Sequence, residues 1–246
     1  MMNTIENTKE LKESPRVSTT PDKNLIEKMF NVGAHYGYAK ARRHPSTKKY
    51  VFGIKNKTEI FDLEKTSVEL EKAKAFVTEL SKAGKVILFV SSKPEAKKII
   101  KEAAESLDMP YVAGRWIGGT LTNFDSIKKR AEKFVDLFEK TEKGLLDKYT
   151  KKEKLLISRD MDALEAKFGG ITTMTQLPHA LFVVDLKKEN IAVKEAQSKN
   201  IPVISISSTD CDISSVEYAI PGNDATLKSI EFFVNEIRDA YRAGKK

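Results

Sequence analysis

The sequence contains few of the residues from which disulfide-bonded or zinc-dependent proteins are built. Its 246 residues include one cysteine, Cys211, and three histidines. A single cysteine excludes an internal disulfide and a cysteine-based zinc cluster, and it fits a reducing cytosolic compartment. His35 and His44 have no cysteine or carboxylate neighbours at ligand spacing, so they predict no metal site. No apolar run approaches the roughly 18 residues of a membrane-spanning helix, which excludes a transmembrane protein.

The sequence also lacks the glycine-rich loops that bind nucleotide phosphates. No Gly-x-Gly-x-x-Gly follows the first predicted buried strand, and no Gly-x-x-x-x-Gly-Lys-Ser/Thr occurs anywhere. Gly114, Gly118 and Gly119 precede a predicted helix but match neither spacing. No catalytic triad is present, and Cys211 has no histidine nearby in the sequence. We therefore expect a protein without a cofactor or catalytic residues.

One enzymatic alternative stays open, because ligands of parallel α/β sheets bind at the carboxyl ends of the strands. Three aspartates follow predicted strands: Asp185, Asp210 and Asp212. Together they could hold Mg²⁺ in a magnesium-dependent or nucleotide-handling hydrolase. Aspartates also cap helices and turns, which is their commoner role.

Acidic residues are missing from one stretch of the chain in which basic residues are concentrated. Between His35 and Lys57 there are seven bases and no acid, whereas the whole chain has 43 Lys and Arg against 35 Asp and Glu, a net charge of +8. The seven are Lys40, Arg42, Arg43, Lys48, Lys49, Lys55 and Lys57. This concentration favours a polyanionic partner such as RNA, although a solvated loop on a lysine-rich protein would have the same composition.

The pattern of apolar residues predicts an α/β fold. Residues 1–22 are polar and predict a disordered tail, and a short helix follows from Asn24 to Val32. Two short strands around Asn56-Lys57 predict a hairpin. Later apolar strands alternate with amphipathic helices, which predicts a doubly wound, mostly parallel sheet with helices on both faces. These strands are 86–90, 180–184 and 201–206.

Helix starts are marked by capping boxes, in which Ser or Thr is followed three residues later by Asp or Glu. The pattern occurs at Thr66, Ser92, Thr122 and Thr150. The last two open consecutive amphipathic helices with a break at Gly144 and no strand between them, which predicts an antiparallel, coiled-coil-like helical hairpin. We therefore expect an α/β core over residues 23–121 and 170–246, with the hairpin inserted at 122–169.

The stretch from Tyr111 to Phe124 joins the first half of this core to the hairpin. It contains three glycines and the only tryptophan of the chain, Trp116, beside Arg115. An indole next to a guanidinium can dock on RNA by stacking and phosphate contact. Alternatively, Trp116 anchors the hairpin to the core and Arg115 is a solvated neighbour.

Several motifs in the chain resemble the bacterial-type S-two ribosomal protein family of the small subunit. The most specific is Gly114-Arg-Trp-Ile-Gly-Gly-Thr-Leu-Thr-Asn-Phe124, and collinear matches extend from Leu25 to Ala240. They include Gly33-Ala-His-Tyr-Gly37, Ile60-Phe-Asp-Leu-Glu-Lys-Thr66, Leu177-Pro-His-Ala-Leu-Phe-Val-Val-Asp185 and Ile220-Pro-Gly-Asn-Asp224. The chain departs from the family pattern at Tyr38, where a second histidine is usual, and in the loop 208–213.

The resemblance implies a flavodoxin-like three-layer α/β/α fold with the inserted helical hairpin. It also implies a structural role on the ribosome in the cytoplasm, bound to small-subunit ribosomal RNA and neighbouring small-subunit proteins, including the S-one ribosomal protein. Neither a membrane nor a small-molecule substrate is expected. Charge and position then identify the candidate RNA-binding residues. They are Arg42, Arg43, Lys48, Lys49, Arg115, Trp116, Lys128, Lys129 and Arg130.

Overall fold

The computed structural model describes residues 23–145 and 149–245, so the tail predicted over residues 1–22 lies outside the described residues. The helices are α1 (Lys23–Asn31), α2 (Leu63–Lys82), α3 (Pro94–Glu105), α4 (Phe124–Glu142), α5 (Lys151–Phe168), α6 (Asn190–Ser198) and α7 (Leu227–Gly244). The strands are β1 (Tyr36–Ala39), β2 (Val51–Lys55), β3 (Thr58–Phe61), β4 (Ile87–Ser91), β5 (Tyr111–Ala113), β6 (Ala180–Val184), β7 (Val203–Ser207) and β8 (Tyr218–Pro221). In the part of the chain described, no helix combines the length and apolarity needed to cross a bilayer.

Five of the strands form a parallel sheet in the order β5-β4-β6-β7-β8. This is the strand order of a flavodoxin-like sheet. Neighbouring strands are in register, with Leu88 beside Leu181 and Phe182 beside Ile204. Every residue of β4, β6 and β7 is buried, as expected of strands covered on both faces. The predicted three-layer α/β fold is confirmed.

Alternate residues of each strand point to opposite faces of the sheet, so the sheet has a core on each side. On one face, Phe89 and Phe182 pack with residues of α1, α2, α3 and α7. On the other face, Leu88 and Leu181 pack with α6 and with one end of the α4–α5 pair. Because Ile127 of α4 and Phe168 of α5 belong to this second core, the base of the helical pair is fixed to the sheet.

Helices α4 and α5 follow β5 and precede β6 in the sequence, and they pack against each other. Helix α5 begins with a complete capping box, in which Thr150 and Glu153 each bond the backbone N–H of the other, so this capping prediction is confirmed. Away from the sheet, both helices are largely exposed. We call the α4–α5 pair the hairpin. That residues 122–169 form a separate inserted unit stays a prediction.

The basic N-terminal segment contributes a second sheet, antiparallel and three-stranded, in the order β1-β3-β2. The predicted pairing of β2 with β3 is present, and its two turn residues Asn56 and Lys57 have φ angles of 50° and 64°, as a type I′ turn requires. Strand β1 was not predicted, because its Tyr-Gly-Tyr-Ala sequence has a glycine and no apolar alternation. Tyr50 and Phe61 pack with Ile213 beneath this sheet.

Three predicted capping boxes are wrong. Helix α2 begins a turn before Thr66, with Asp62 as its N-cap, and the Thr66 hydroxyl lies 2.8 Å from the carbonyl oxygen of Pro221. The cap positions of α3 and α4 are Lys93 and Asn123, and neither side chain makes a capping hydrogen bond. The hydroxyl of Thr122 likewise contacts a distant segment, since it lies 3.2 Å from Oε2 of Glu195.

Candidate nucleic-acid interface

The basic segment forms a loop that is fastened to the stretch following β7. The backbone N–H of His44 donates to the carbonyl oxygen of Thr209 at 2.8 Å. The hydroxyl of Thr47, which is wholly buried, lies 3.0 Å from the same oxygen. Two 3₁₀ turns, Lys40–Arg42 and Pro45–Tyr50, shape the loop around this attachment. The loop is therefore a defined surface feature, which we call the basic loop.

Three of the predicted RNA-binding residues in the basic loop, Arg42, Lys48 and Lys49, have exposed side chains. Among the described residues, no carboxylate forms an ion pair with any of them. The Arg42 guanidinium lies 5.7 Å from the centre of the Tyr38 ring, and the Lys49 ammonium lies 4.8 Å from that of Tyr50. A cation–π contact orients a cation without neutralising its charge. All three charges are thus free to meet phosphates.

Arg43, the fourth predicted residue of the basic loop, is engaged inside the protein. Its Nη1 lies 2.9 Å from Oε1 of Glu59, and the Glu59 side chain on β3 is completely buried. An isolated buried carboxylate is strongly unfavourable, so Glu59 requires this partner. Because its charge is already compensated, Arg43 supports the small sheet, and we leave it out of the interface.

Trp116 is buried and faces the core. Its indole Nε1 donates to Oε1 of Glu195 on α6 at 3.1 Å, and its ring packs in the second core. A ring in this position is not available to stack on an RNA base, which favours the anchoring role for Trp116. Arg115 beside it is exposed and stays a candidate for phosphate contact.

Glu195 was not identified from the sequence, and it organises the junction between β5 and α4. Its carboxylate also accepts hydrogen bonds from the backbone N–H groups of Gly119, Leu121 and Thr122, at 2.8, 3.0 and 3.1 Å. Burial alone would raise the pKa of Glu195, but these bonds and the one from Trp116 outweigh burial and lower it. The only sequence signal for this role was an acid on a predicted helix.

The three predicted residues at the base of the hairpin lie on α4. Lys129 and Arg130 are exposed, whereas Lys128 is half-buried with its Nζ 3.5 Å from the carbonyl oxygen of Thr175. The nine predicted residues therefore belong to three separate elements: the basic loop, the junction and α4. Among the described residues, the basic loop carries three exposed cations without a carboxylate partner, Arg42, Lys48 and Lys49, and α4 carries two of the predicted residues in the same state, Lys129 and Arg130.

The three aspartates of the magnesium alternative have separate structural contacts. Asp210 pairs with Lys187, with 3.0 Å between Oδ2 and Nζ, and Asp212 accepts hydrogen bonds that cap a 3₁₀ turn. Asp185 is buried, and its Oδ2 lies 2.9 Å from the ammonium of Lys93. Each carboxylate is thus used by a different contact, and the predicted trio does not form one site.

Lys93 supplies the positive charge among the buried acids at the strand ends. Its ammonium lies 3.0 Å from Oδ1 of Asp224 and 2.7 Å from the carbonyl oxygen of the same residue. Burial raises the pKa of Asp224 to about 6, with Lys93 opposing and Asp185 reinforcing the rise. Ligand atoms of Asp185, Cys211 and Asp224 lie within 4.8 Å of one another. Burial raises the pKa of the Cys211 thiol, so this group is a protonated neighbour and not a nucleophile.

The chain is similar to known proteins over most of its length. The family model described as Ribosomal protein S2 matches residues 29–244. The small ribosomal subunit protein uS2 of Chlorobaculum tepidum is 42% identical over 219 residues, which cover 89% of this chain and 88% of that protein. The uS2 proteins of Hahella chejuensis and Helicobacter acinonychis are 42% and 39% identical, over 86% and 90% of this chain and 84% and 90% of those proteins. The predicted resemblance is confirmed, and the chain belongs to the ribosomal protein S2 family.

Proposed function

We propose that this chain is a structural component of the small ribosomal subunit that binds ribosomal RNA. The observation that carries the proposal is the family match across residues 29–244, which spans both sheets and the hairpin. The same match decides against the hydrolase alternative, because the family consists of structural ribosomal proteins. In this role the protein works in the cytoplasm, in contact with RNA and with neighbouring small-subunit proteins.

The basic loop supports RNA binding by its charge and by its attachment. Arg42, Lys48 and Lys49 are exposed and uncompensated, and hydrogen bonds to Thr209 fasten the loop to the core. Each phosphate that such a cation neutralises releases counterions, which makes the affinity depend on salt. Contacts of this kind fix the position of a protein on RNA without reading a base sequence. We infer that the basic loop positions the protein on the subunit, with Arg115 and the hairpin base as further contacts.

A charge-reversal experiment tests the basic loop. Small subunits depleted of this chain are mixed with the labelled wild-type protein or with the double variant Arg42→Glu, Lys48→Glu, and bound protein is measured by sedimentation at several salt concentrations. The control variant is Lys97→Glu, Lys98→Glu, which changes charge equally on exposed positions of α3. We expect at least tenfold weaker binding of the loop variant, with a log–log salt slope shallower by about 1.4 for two lost contacts at about 0.7 each.

The outcomes of this experiment separate three cases. Absence of wild-type protein from the subunits would contradict the proposed function itself. If the wild type binds and both double variants bind equally well, the basic loop is not the RNA contact. If both variants lose affinity equally, the attraction is a general effect of net charge, and no specific surface is responsible.

The S-one ribosomal protein is a proposed partner on the basis of family resemblance, and one surface of the small sheet offers a place for a protein contact. Phe52 on the edge strand β2 is 81% exposed, and Ile54 on the same strand is also exposed. Exposed large apolar side chains next to each other mark protein-interaction surfaces. Phe52→Ser should therefore lower the amount of the S-one protein bound to purified subunits without lowering the amount of this chain. Unchanged amounts of the S-one protein would contradict the assignment.

A further inference from the structure

A cleft of about 500 Å³ lies between α4 and α5, where the hairpin leaves the sheet. Apolar side chains form part of its lining, namely those of Ile117, Ile127, Leu164 and Phe168. Its charged lining consists of Arg130, Lys133 and Lys167 with a single acid, Asp160. Three positive charges against one negative charge give this lining a net charge of +2. We call this feature the hairpin cleft.

The cations of the hairpin cleft have no carboxylate partner, in contrast to two lysines toward the far end of α4. In the described part of the chain, Arg130, Lys133 and Lys167 take part in no ion pair. Toward the far end of α4, one lysine of the helix and the lysine directly after its last residue are paired with acids one turn away. These pairs are Lys140 with Asp136 and Lys143 with Glu139. Carboxylates therefore neutralise the lysines toward the far end of α4 but not the three cations of the cleft. The cleft accordingly attracts an anion.

We propose that the hairpin cleft binds one nucleotide unit of ribosomal RNA, an inference that rests on the proposed function. The phosphate lies between Arg130, Lys133 and Lys167, and the ribose or base covers the apolar lining. The volume is within the range of about 300–1,000 Å³ that is typical of small-molecule and cofactor pockets. A phosphate offers several acceptor oxygens to cations that approach from two helices, and a base offers a flat face to apolar side chains. An acidic protein segment would also satisfy the cations, so the crosslinking test below distinguishes it from RNA; the match to a ribosomal protein family favours RNA as the occupant.

The first test reverses charge at the cleft in the full-length protein. The double variant Lys133→Glu, Lys167→Glu is compared with Lys151→Glu, Lys152→Glu, which makes the same change on exposed residues at the start of α5, away from the cleft. All four positions are exposed, so thermal unfolding should stay near that of the wild type. In the assay with depleted small subunits, the cleft variant should bind at least tenfold more weakly, with a salt slope shallower by about 0.7 for the one lost phosphate contact. Equal binding of the two variants would overturn the inference.

The second test identifies what occupies the cleft. A benzophenone amino acid replaces Ala163, an exposed residue of the cleft lining, and assembled subunits are irradiated. A crosslinked product that nuclease removes is expected. A crosslink to a neighbouring protein, or no crosslink from fully occupied subunits, would overturn the inference.

The two proposals fail in distinguishable ways. If wild-type protein does not enter the subunits, the proposed function fails. If it enters, and the Arg42→Glu, Lys48→Glu variant is weakened while the cleft variant is not, the hairpin cleft alone is wrongly assigned.

Discussion

Replacing Glu195 by glutamine should destabilise the protein by about 2–3 kcal/mol, because half of the N–H donors at the junction would lose their acceptor. Oε1 of Glu195 accepts from Trp116 Nε1 and from the N–H of Gly119, and Oε2 accepts from the N–H groups of Leu121 and Thr122. In glutamine, an NH₂ group takes the place of one oxygen, and it cannot accept from an N–H donor. Whichever oxygen is replaced, two N–H donors are left without a partner, whereas the Thr122 hydroxyl can accept from the new NH₂ group.

The expected magnitude follows from the number of bonds and from their exposure. A hydrogen bond to a charged group contributes about 1.5–3 kcal/mol, so two such bonds set an upper range of about 3–6 kcal/mol. Gly119 and Thr122 are partly or largely exposed, so water can reach the freed N–H groups there and reduce the loss. Glu195→Ala removes the four N–H contacts and the contact with the Thr122 hydroxyl, and it leaves a small cavity, so it should have the larger effect, about 3–5 kcal/mol.

The single tryptophan provides the assay for this prediction. Trp116 is the only tryptophan, and it bonds directly to Glu195, so its fluorescence during urea denaturation reports the junction. Glu132→Gln removes the same charge at an exposed position of α4 and should change stability by less than about 0.5 kcal/mol. Equal unfolding midpoints for the Glu195→Gln and Glu132→Gln proteins would refute the reasoning.

The pH dependence of the same variant gives an independent check. Because folding lowers the pKa of Glu195, its stabilising contribution is present above the ordinary value of 4.5 and is lost as the pH falls through the folded-state pKa. The stability difference between wild type and Glu195→Gln should therefore be constant near neutral pH and shrink below pH 4.5. A difference that grows on acidification would contradict the assigned hydrogen bonds.

Two further predictions concern buried contacts and can be checked by denaturation. Lys93→Met should destabilise the protein by about 3–5 kcal/mol because it leaves the buried carboxylate of Asp224 unpaired. Adding Asp224→Asn should restore part of this stability. A double variant that is no more stable than Lys93→Met would contradict the explanation. Gly170→Ala should lower the melting temperature because a Cβ there would overlap the carbonyl oxygen of Tyr111, whereas Gly53→Ala, with open space around it, should be nearly neutral. Equal melting temperatures of the two alanine variants would refute that explanation.

The interior of the parallel sheet could be predicted from sequence because its strands are buried on both faces. The predicted strands 86–90, 180–184 and 201–206 correspond to β4, β6 and β7 within two residues. Such strands appear as continuous apolar runs, which need no partner to be recognised. The edge strands β5 and β8 have three and four residues, and each pairs with a single neighbour of the sheet. Their pairing depends on that neighbour, so the local pattern gives too little signal.

The sequence predicted where the positive charge of the candidate interface lies, but not which basic residues are paired with acids inside the protein. The run without acids correctly located Arg42 and Lys48 on an exposed loop. It could not separate them from Arg43, because Glu59 reaches Arg43 only after the small sheet has formed. The hairpin cleft likewise brings together Lys133 and Lys167 from two helices, and their meeting depends on how those helices pack. The residue pattern of a single sequence does not show how two helices pack against each other.

The strand order also governs when the protein can complete its fold during synthesis. Strand β4 lies between β5 and β6, and Leu88 is in register with Leu181, which is made long after it. Both helices of the hairpin are made in that interval, and their mutual contacts are between near neighbours in the chain. Closing a long loop before its contacts form slows folding, whereas local contacts form quickly. The hairpin can therefore fold while the chain is being made. During that time β4 has β5 available on one side, and its other edge is unpaired until β6 has left the ribosome.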